Sequence, residues 1–252
     1  MPPFVIFLFF AAALVAVIVG IIAHYKRKKA LREFADRIGF VFADHDALGL
    51  VDKLNGFSRF NRGHSRRSYE QVFGRYAGMD CCLFSYSYKT GSGKNESTHT
   101  FNGLLVVAPI FLPCQLTIRP EGFMDTVLEA VGFDDIDFEY NEFNKRYFVK
   151  CSDKRAAYDF FGRDMMDFFV MLPRYMSLDA VGPLFVFHYN GRLAPEFWER
   201  MLDTATSMFR YLDPHAKEKF AISTAAQQHF GAPADPMQWM GGGSRTGKGF
   251  FG

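Results

Sequence analysis

Gly91-Ser92-Gly93-Lys94-Asn95 is the first stretch whose residue types could do chemistry, because the backbone N–H groups of a glycine-rich loop can cradle phosphate. A phosphate loop needs a first glycine where this chain has Tyr88, and a hydroxyl residue where it has Asn95. A hairpin turn is the better reading, since glycine supplies the positive φ that such turns require. Gly242 to Lys248 has the glycine spacing, but Gly249 takes the hydroxyl position. Asp134, Asp135, Asp137, Glu139 and Glu142 could offer oxygens to a hard cation. However, Asp135, Asp137 and Glu139 alternate with Ile136, Phe138 and Tyr140, the pattern of a half-exposed strand with no metal. The histidines, among them His24, His99 and His188, have no neighbouring Ser, Cys or Asp in a recognisable catalytic motif.

Cys81 and Cys82 are adjacent in a strand-like run and so point to opposite faces, while Cys114 and Cys151 sit in other such runs without zinc-ligand spacing. Reduced, buried thiols are expected, and neither cofactor nor metal. Net charge is only +2, so no global field argues for nucleic acid, and none is expected as a partner. Basic charge is instead local. Arg59, Arg62, His64, Arg66 and Arg67 crowd the run RFNRGHSRR, read as an exposed loop that could meet lipid phosphates or an acidic partner.

What must position these residues begins with a membrane span. Phe4 to Ala23 is 20 residues without a polar side chain. At about 1.5 Å per residue a helix of that length crosses the roughly 30 Å hydrocarbon core. Fourteen of these residues are Phe, Leu, Ile or Val, each favouring insertion by roughly 0.3–0.6 kcal/mol. Only Met1, Pro2 and Pro3 precede the run, so the charged n-region of a cleaved signal is missing. Lys26, Arg27, Lys28 and Lys29 follow it, and this excess predicts an inner-membrane protein with its N-terminus outside and its domain cytoplasmic. The same four cations could contact the anionic inner leaflet.

Leu31, Phe34, Ala35 and Ile38 then continue the helix as an amphipathic stem that Gly39 ends. The domain plan is a transmembrane anchor at 1–25, a basic juxtamembrane stem at 26–39, a cytoplasmic α+β domain at 40–213, and a C-terminal segment with a flexible tail at 214–252. Within the domain, three runs between Ser68 and Ala108 read as an antiparallel meander. In the middle run Cys82, Phe84, Tyr86 and Tyr88 share one face and Ser85, Ser87 and Lys89 the other, predicting one buried face and one wet. Further strands are expected at Phe40 to Phe42, Cys114 to Arg119, Ile136 to Tyr140, Arg146 to Cys151, Met176 to Leu178 and Leu184 to Tyr189. Helices are expected at Phe123 to Val131, Asp153 to Phe161, Asp164 to Leu172 and Pro195 to Leu212. Asp46 should cap a short helix carrying Leu50 and Leu54, and a weaker helical segment should follow Asp213-Pro214. The fold class is thus α+β, a largely antiparallel sheet packed with helices that include a long C-terminal one.

YSYKTGSGKNESTH, TIRPEG and the run from Asp135 to Asp159, with its D-I-x-F-E and E-F-N-K elements, together resemble a widespread group of uncharacterised bacterial proteins. That group is defined by a domain of unknown function behind a membrane helix. The resemblance implies this architecture and attaches no activity or site to it.

The residues support a non-enzymatic interaction or scaffold module with a protein partner. Met237, Trp239 and Met240, apolar residues in a polar tail, are candidate docking residues. The alternative is a small-ligand or lipid-binding sensor or enzyme. The chain has 30 phenylalanines, and an aromatic pocket would use the same side chains as an aromatic core.

Overall fold

The N-terminal apolar run and the amphipathic stem form one helix, α1, Pro3–Ile38. A computed structural model of the chain describes residues 3–120, 135–172 and 176–222. The apolar part of α1 is long and hydrophobic enough to cross a membrane, and none of that window is buried against the protein. Phe4, Phe7, Phe10, Leu14 and Ile21 instead stand exposed. In a soluble chain such a continuous apolar surface would be a liability. Past Tyr25 the character changes, with Leu31, Phe34 and Ala35 buried against the sheet. Gly39 ends α1 at φ 72, the left-handed cap expected of it.

The sheet has six strands: β1 Val41–Ala43, β2 His64–Tyr76, β3 Met79–Thr90, β4 Ser97–Pro120, β5 Tyr147–Cys151 and β6 Met176–Asn190. Their order is β1-β2-β3-β4-β5, with β6 also paired to β4, and every pairing is antiparallel. The expected meander is therefore present, and the turn at Gly91 and Gly93, both at positive φ, joins β3 to β4 as a hairpin. The short helices are α2 Leu50–Lys53, α3 Asn141–Asn144, α4 Lys154–Phe160 and α5 Arg163–Met171, followed by α6 Glu196–Ser207 and α7 Pro214–Lys219. Asp46 accepts the Leu50 and Val51 N–H groups at the start of α2, as its sequence position suggests. The long C-terminal helix is shorter than expected. After Ser207 it tightens into a 3₁₀ turn, Met208–Tyr211.

Two strands are longer than expected because sequence breakers fall at irregularities rather than at ends. Pro109 and Pro113 lie within β4, where its register against β6 slips between Val107 and Leu112 and again before Leu116. A proline, lacking an N–H, is tolerated where the ladder is already interrupted. Gly182, at φ 55, pairs with Leu112 in that same stretch and keeps β6 continuous. Conversely, Ile136 to Tyr140 is no strand and makes only a bridge, Asp135 with Lys150.

The sheet is covered on both faces, which corrects the expectation of a wet face. One core joins the stem to Cys81 and Leu83 of β3, Leu104 and Val106 of β4, Phe185 and Phe187 of β6, and the buried sides of α4 to α7. The other places Cys82, Phe84, Tyr86 and Tyr88 beneath Leu48, Leu54, Phe57 and Phe60. Gly103 makes that second layer close: a Cβ there would sit 2.4 Å from Cζ of Phe84. The segment 46–61 thus acts as a lid of loop and helix over strands that would otherwise meet water. The expected helix at Phe123 to Val131 and the tail lie outside the described residues.

Candidate functional site

Glu70 lies at a β-bulge. Between the Tyr69–Ser85 and Val72–Leu83 pairs, β2 takes three steps while β3 takes two. The extra residue leaves Glu70 at φ 51, left-handed backbone that a non-glycine residue adopts at a cost of about 1–3 kcal/mol. That strain aims a fully buried carboxylate at the stem. Arg27 Nε donates to its Oε2 at 2.9 Å, Ser85 Oγ donates to the same oxygen at 2.7 Å, and Arg192 donates to Oε1 at 3.0 Å. Burial opposes the charge on Glu70, but the Ser85 hydrogen bond and the two arginines outweigh it and hold its carboxyl below the usual range. The network continues. Arg27 also donates to the Leu193 carbonyl and lies 5.7 Å from the Trp198 ring, and Asn102 links Ser85 to the Leu193 N–H. The membrane helix, the bulge, β3, β4 and the approach to α6 are therefore tied through one charged knot. Further out, Arg37 pairs with Glu199 at 2.9 Å.

A second buried network joins β4 to β6, its His188 paired with Gly103 next to Asn102 of the first. Arg119 reaches both Asp179 oxygens, at 2.9 and 2.8 Å; Thr117 donates to Oδ1 and His188 Nε2 stands 2.9 Å from Oδ2. All four residues are buried. Burial would raise the Asp179 pKa, but the Arg119 charge and the His188 hydrogen bond bring it well below the usual carboxylate range. Burial first, then the charges of Arg59 and Arg119, depress His188 to about 3. A His–Asp pair resembles acid–base machinery. Here it is sealed from solvent and engaged with a structural arginine.

The depressed His188 pKa has a defined sign. The unfolded histidine takes a proton near pH 6.5, whereas the folded one resists until about 3, so its stabilising share is complete above pH 6.5 and declines as pH falls toward 3. Melting of the full chain in detergent should therefore begin to fall below pH 6.5, and His188→Gln should flatten that slope between pH 6.5 and 4.5. An unaltered slope would contradict the assignment.

The cations read from the sequence have different fates. Arg27 leaves the juxtamembrane cluster for the interior, with 11% of its side chain exposed. Lys26 is exposed, while Lys28 meets Asp44 at 3.4 Å and Lys29 meets Glu33 at 3.7 Å, all near water. The basic loop is corrected too. Arg59 is buried, 4.7 Å from the Phe101 ring, so its charge is not offered to lipid. Arg66 is partly buried and pins the lid through Asn55, Asn61 and the Phe60 carbonyl. Arg66 and Arg67 belong to β2 rather than to a loop; Arg67 is exposed and Arg62 half-buried. Met237, Trp239 and Met240 lie outside the described residues.

Cys81 and Cys82 do face opposite cores. The sequence did not suggest that Cys114 and Cys151 meet, with sulfurs 2.9 Å apart across β4 and β5. Burial, then Asp80, pushes the Cys81 thiol up to about 12, and all four cysteines are buried. The native chain should consequently resist iodoacetamide at neutral pH and take it up only on unfolding. Rapid labelling of the folded chain would contradict this burial. Asp135 and Asp137 remain exposed, Asp135 accepting from the Ile136 and Val149 N–H groups. No cluster of three metal-ligating side chains occurs among the described residues.

The fold has a solved counterpart. The crystal structure of the mycobacterial trehalose monomycolate transport factor A, TtfA, matches with a TM-score of 0.51 over 75% of this chain and 96% of that one. At 14% identity the likeness is one of fold. No family model matches the chain, and no curated protein does.

Proposed function

We propose that the chain is a membrane-anchored interaction module that presents a rigid α+β domain to a protein partner at the cytoplasmic face of the inner membrane. The observation that carries this reading is the Arg27–Glu70–Arg192 knot. It spends a buried charge and a strained backbone on joining the membrane helix to the sheet, where a flexible tether would suffice to keep the domain merely nearby. Lys26 and Arg67 are exposed, and with Lys28 and Lys29, whose ion pairs lie near water, they are the cations proposed to face anionic lipid or an acidic partner; Met237, Trp239 and Met240 are the proposed docking residues of the tail. That the similar fold belongs to a transport factor is compatible with a positioning role.

The rival reading, an aromatic pocket inside the domain, is less well supported because the rings pack on one another. Phe60 lies 5.1 Å from Tyr86 and 5.4 Å from Phe101, both edge-on, and Phe143 and Phe161 are 5.3 Å apart.

Crosslinking in intact membranes, followed by affinity purification, tests the proposal. The full chain should carry a defined partner set that shrinks when the chain is cut after Phe230, and again with Arg27→Ala. An identical set from all three would exclude both the tail and the rigid junction as determinants.

A further inference from the structure

Cys114 and Cys151 meet where β5 ends. The Leu116–Cys151 pair is the last of the β4–β5 ladder. One step further, the Gln115 N–H donates to Ser152 Oγ and the Ser152 N–H donates to the Gln115 carbonyl, both at 3.0 Å. This clasp leaves the two sulfurs 2.9 Å apart, about 0.9 Å beyond the length of a disulfide bond. Cys114 is 4% exposed and Cys151 2%, yet Pro113, Ser152 and Asp153 beside them are exposed. The pair therefore lies one residue beneath the surface, closed to a bulky reagent and near enough to water for a very small one.

The two thiols are unequal. Their shared hydrogen bond draws Cys151 down against the opposing effect of burial, and the backbone N–H groups of Asp153 and Ser152 add to it. The same bond, together with burial, pushes Cys114 up. Cys151 is thus the sulfur set to attack as a thiolate, and Cys114 the one that stays a thiol. Cys81 and Cys82 have neither feature, since they face opposite cores and burial raises both.

We propose that Cys114 and Cys151 are a redox couple that a hydroperoxide converts to a disulfide. The Cys151 sulfur attacks one peroxide oxygen, so that an S–O bond forms, the O–O bond breaks, and the departing hydroxide takes the Cys151 proton to become water. Cys114 then displaces the hydroxyl of that sulfenic acid. The S–S bond forms, the S–O bond breaks, and a second water leaves with the Cys114 proton. The dithiol loses two electrons and two protons, and the peroxide, gaining both, ends as water. On the proposed cytoplasmic side the resting form is the dithiol. Among the described strands β5 pairs with β4 alone, and α4 follows it directly. The bond would therefore staple the end of this strand and the start of that helix to the sheet.

The full chain in detergent is reduced, freed of reductant, exposed to hydrogen peroxide, quenched, denatured in iodoacetamide and digested. A peptide pair joined through Cys114 and Cys151 and cleaved by dithiothreitol is expected, with Cys81 and Cys82 alkylated as free thiols. The oxidised chain should melt roughly 5–15 °C higher, the scale of closing a loop of this length in a domain of this size. Cys114→Ser and Cys151→Ser should each abolish the rise, and in Cys114→Ser, which lacks the resolving thiol, dimedone should trap a sulfenic acid on Cys151. Failure of the folded wild-type chain to give the linked pair, or its formation only in denaturant, would overturn the couple. Oxidation of all four cysteines at one rate would overturn it as well.

Discussion

Asp179→Ala is expected to destabilise the domain by about 3–5 kcal/mol, the scale of leaving one member of a buried ion pair without its partner. The Arg119 guanidinium would remain in the interior with its carboxylate gone, and Thr117 and His188 would lose the acceptor they share. For a domain of this size that corresponds to a fall in Tm of roughly 6–20 °C. Arg119→Met combined with Asp179→Leu should recover much of the loss, because an apolar pair of similar volume removes both desolvation penalties. Thermal melts of Arg119→Met, Asp179→Leu and the double variant form the cycle. Strict additivity would mean that the residues do not act as a pair.

Arg27→Ala is expected to cost less in global stability and more in geometry. Glu70 would keep Arg192 and Ser85, so the loss should fall near the low end for a broken buried pair, about 3 kcal/mol. Its effect is concentrated at the stem. Without Arg27 the helix retains Leu31, Phe34 and Ala35 as its packing surface but loses the contact nearest the membrane. Hydrogen exchange should rise across residues 24–30 and change little in β3 and β4, as expected of a local opening. Uniform acceleration through the sheet would instead assign Arg27 to global folding.

Much of this architecture was legible in the sequence because it rests on local rules. The span, the stem periodicity, the Gly39 cap, the Asp46 cap and the Gly91–Asn95 hairpin each follow from a few adjacent residues. The sites were not legible, for a physical reason. Arg27 reads as one of four juxtamembrane cations, and only the bulge at Glu70, 43 residues away, distinguishes it from Lys26. The bulge itself has no glycine to announce it. Arg59 and Arg66 likewise read as exposed charge because their partners, the Phe101 ring and the lid, come from tertiary packing. Pro109 and Pro113 read as strand ends because a single sequence does not reveal that β6 slips register beside them. Ser85 read as part of a wet face with Ser87 and Lys89; only the layer that buries it makes its hydroxyl need a partner, which is Glu70.

With Arg27 holding Glu70, the proposed membrane helix and the domain should move as one body. Tyr25→Cys and Lys94→Cys place spin labels on exposed positions of the anchor and of the β3–β4 hairpin, and the native cysteines are buried and should not compete. Pulsed electron–electron distance measurement in nanodiscs should give one narrow distribution for this doubly labelled chain and a broad one once Arg27→Ala is added. A distribution already broad with Arg27 in place, or one that Arg27→Ala leaves narrow, would contradict the claim.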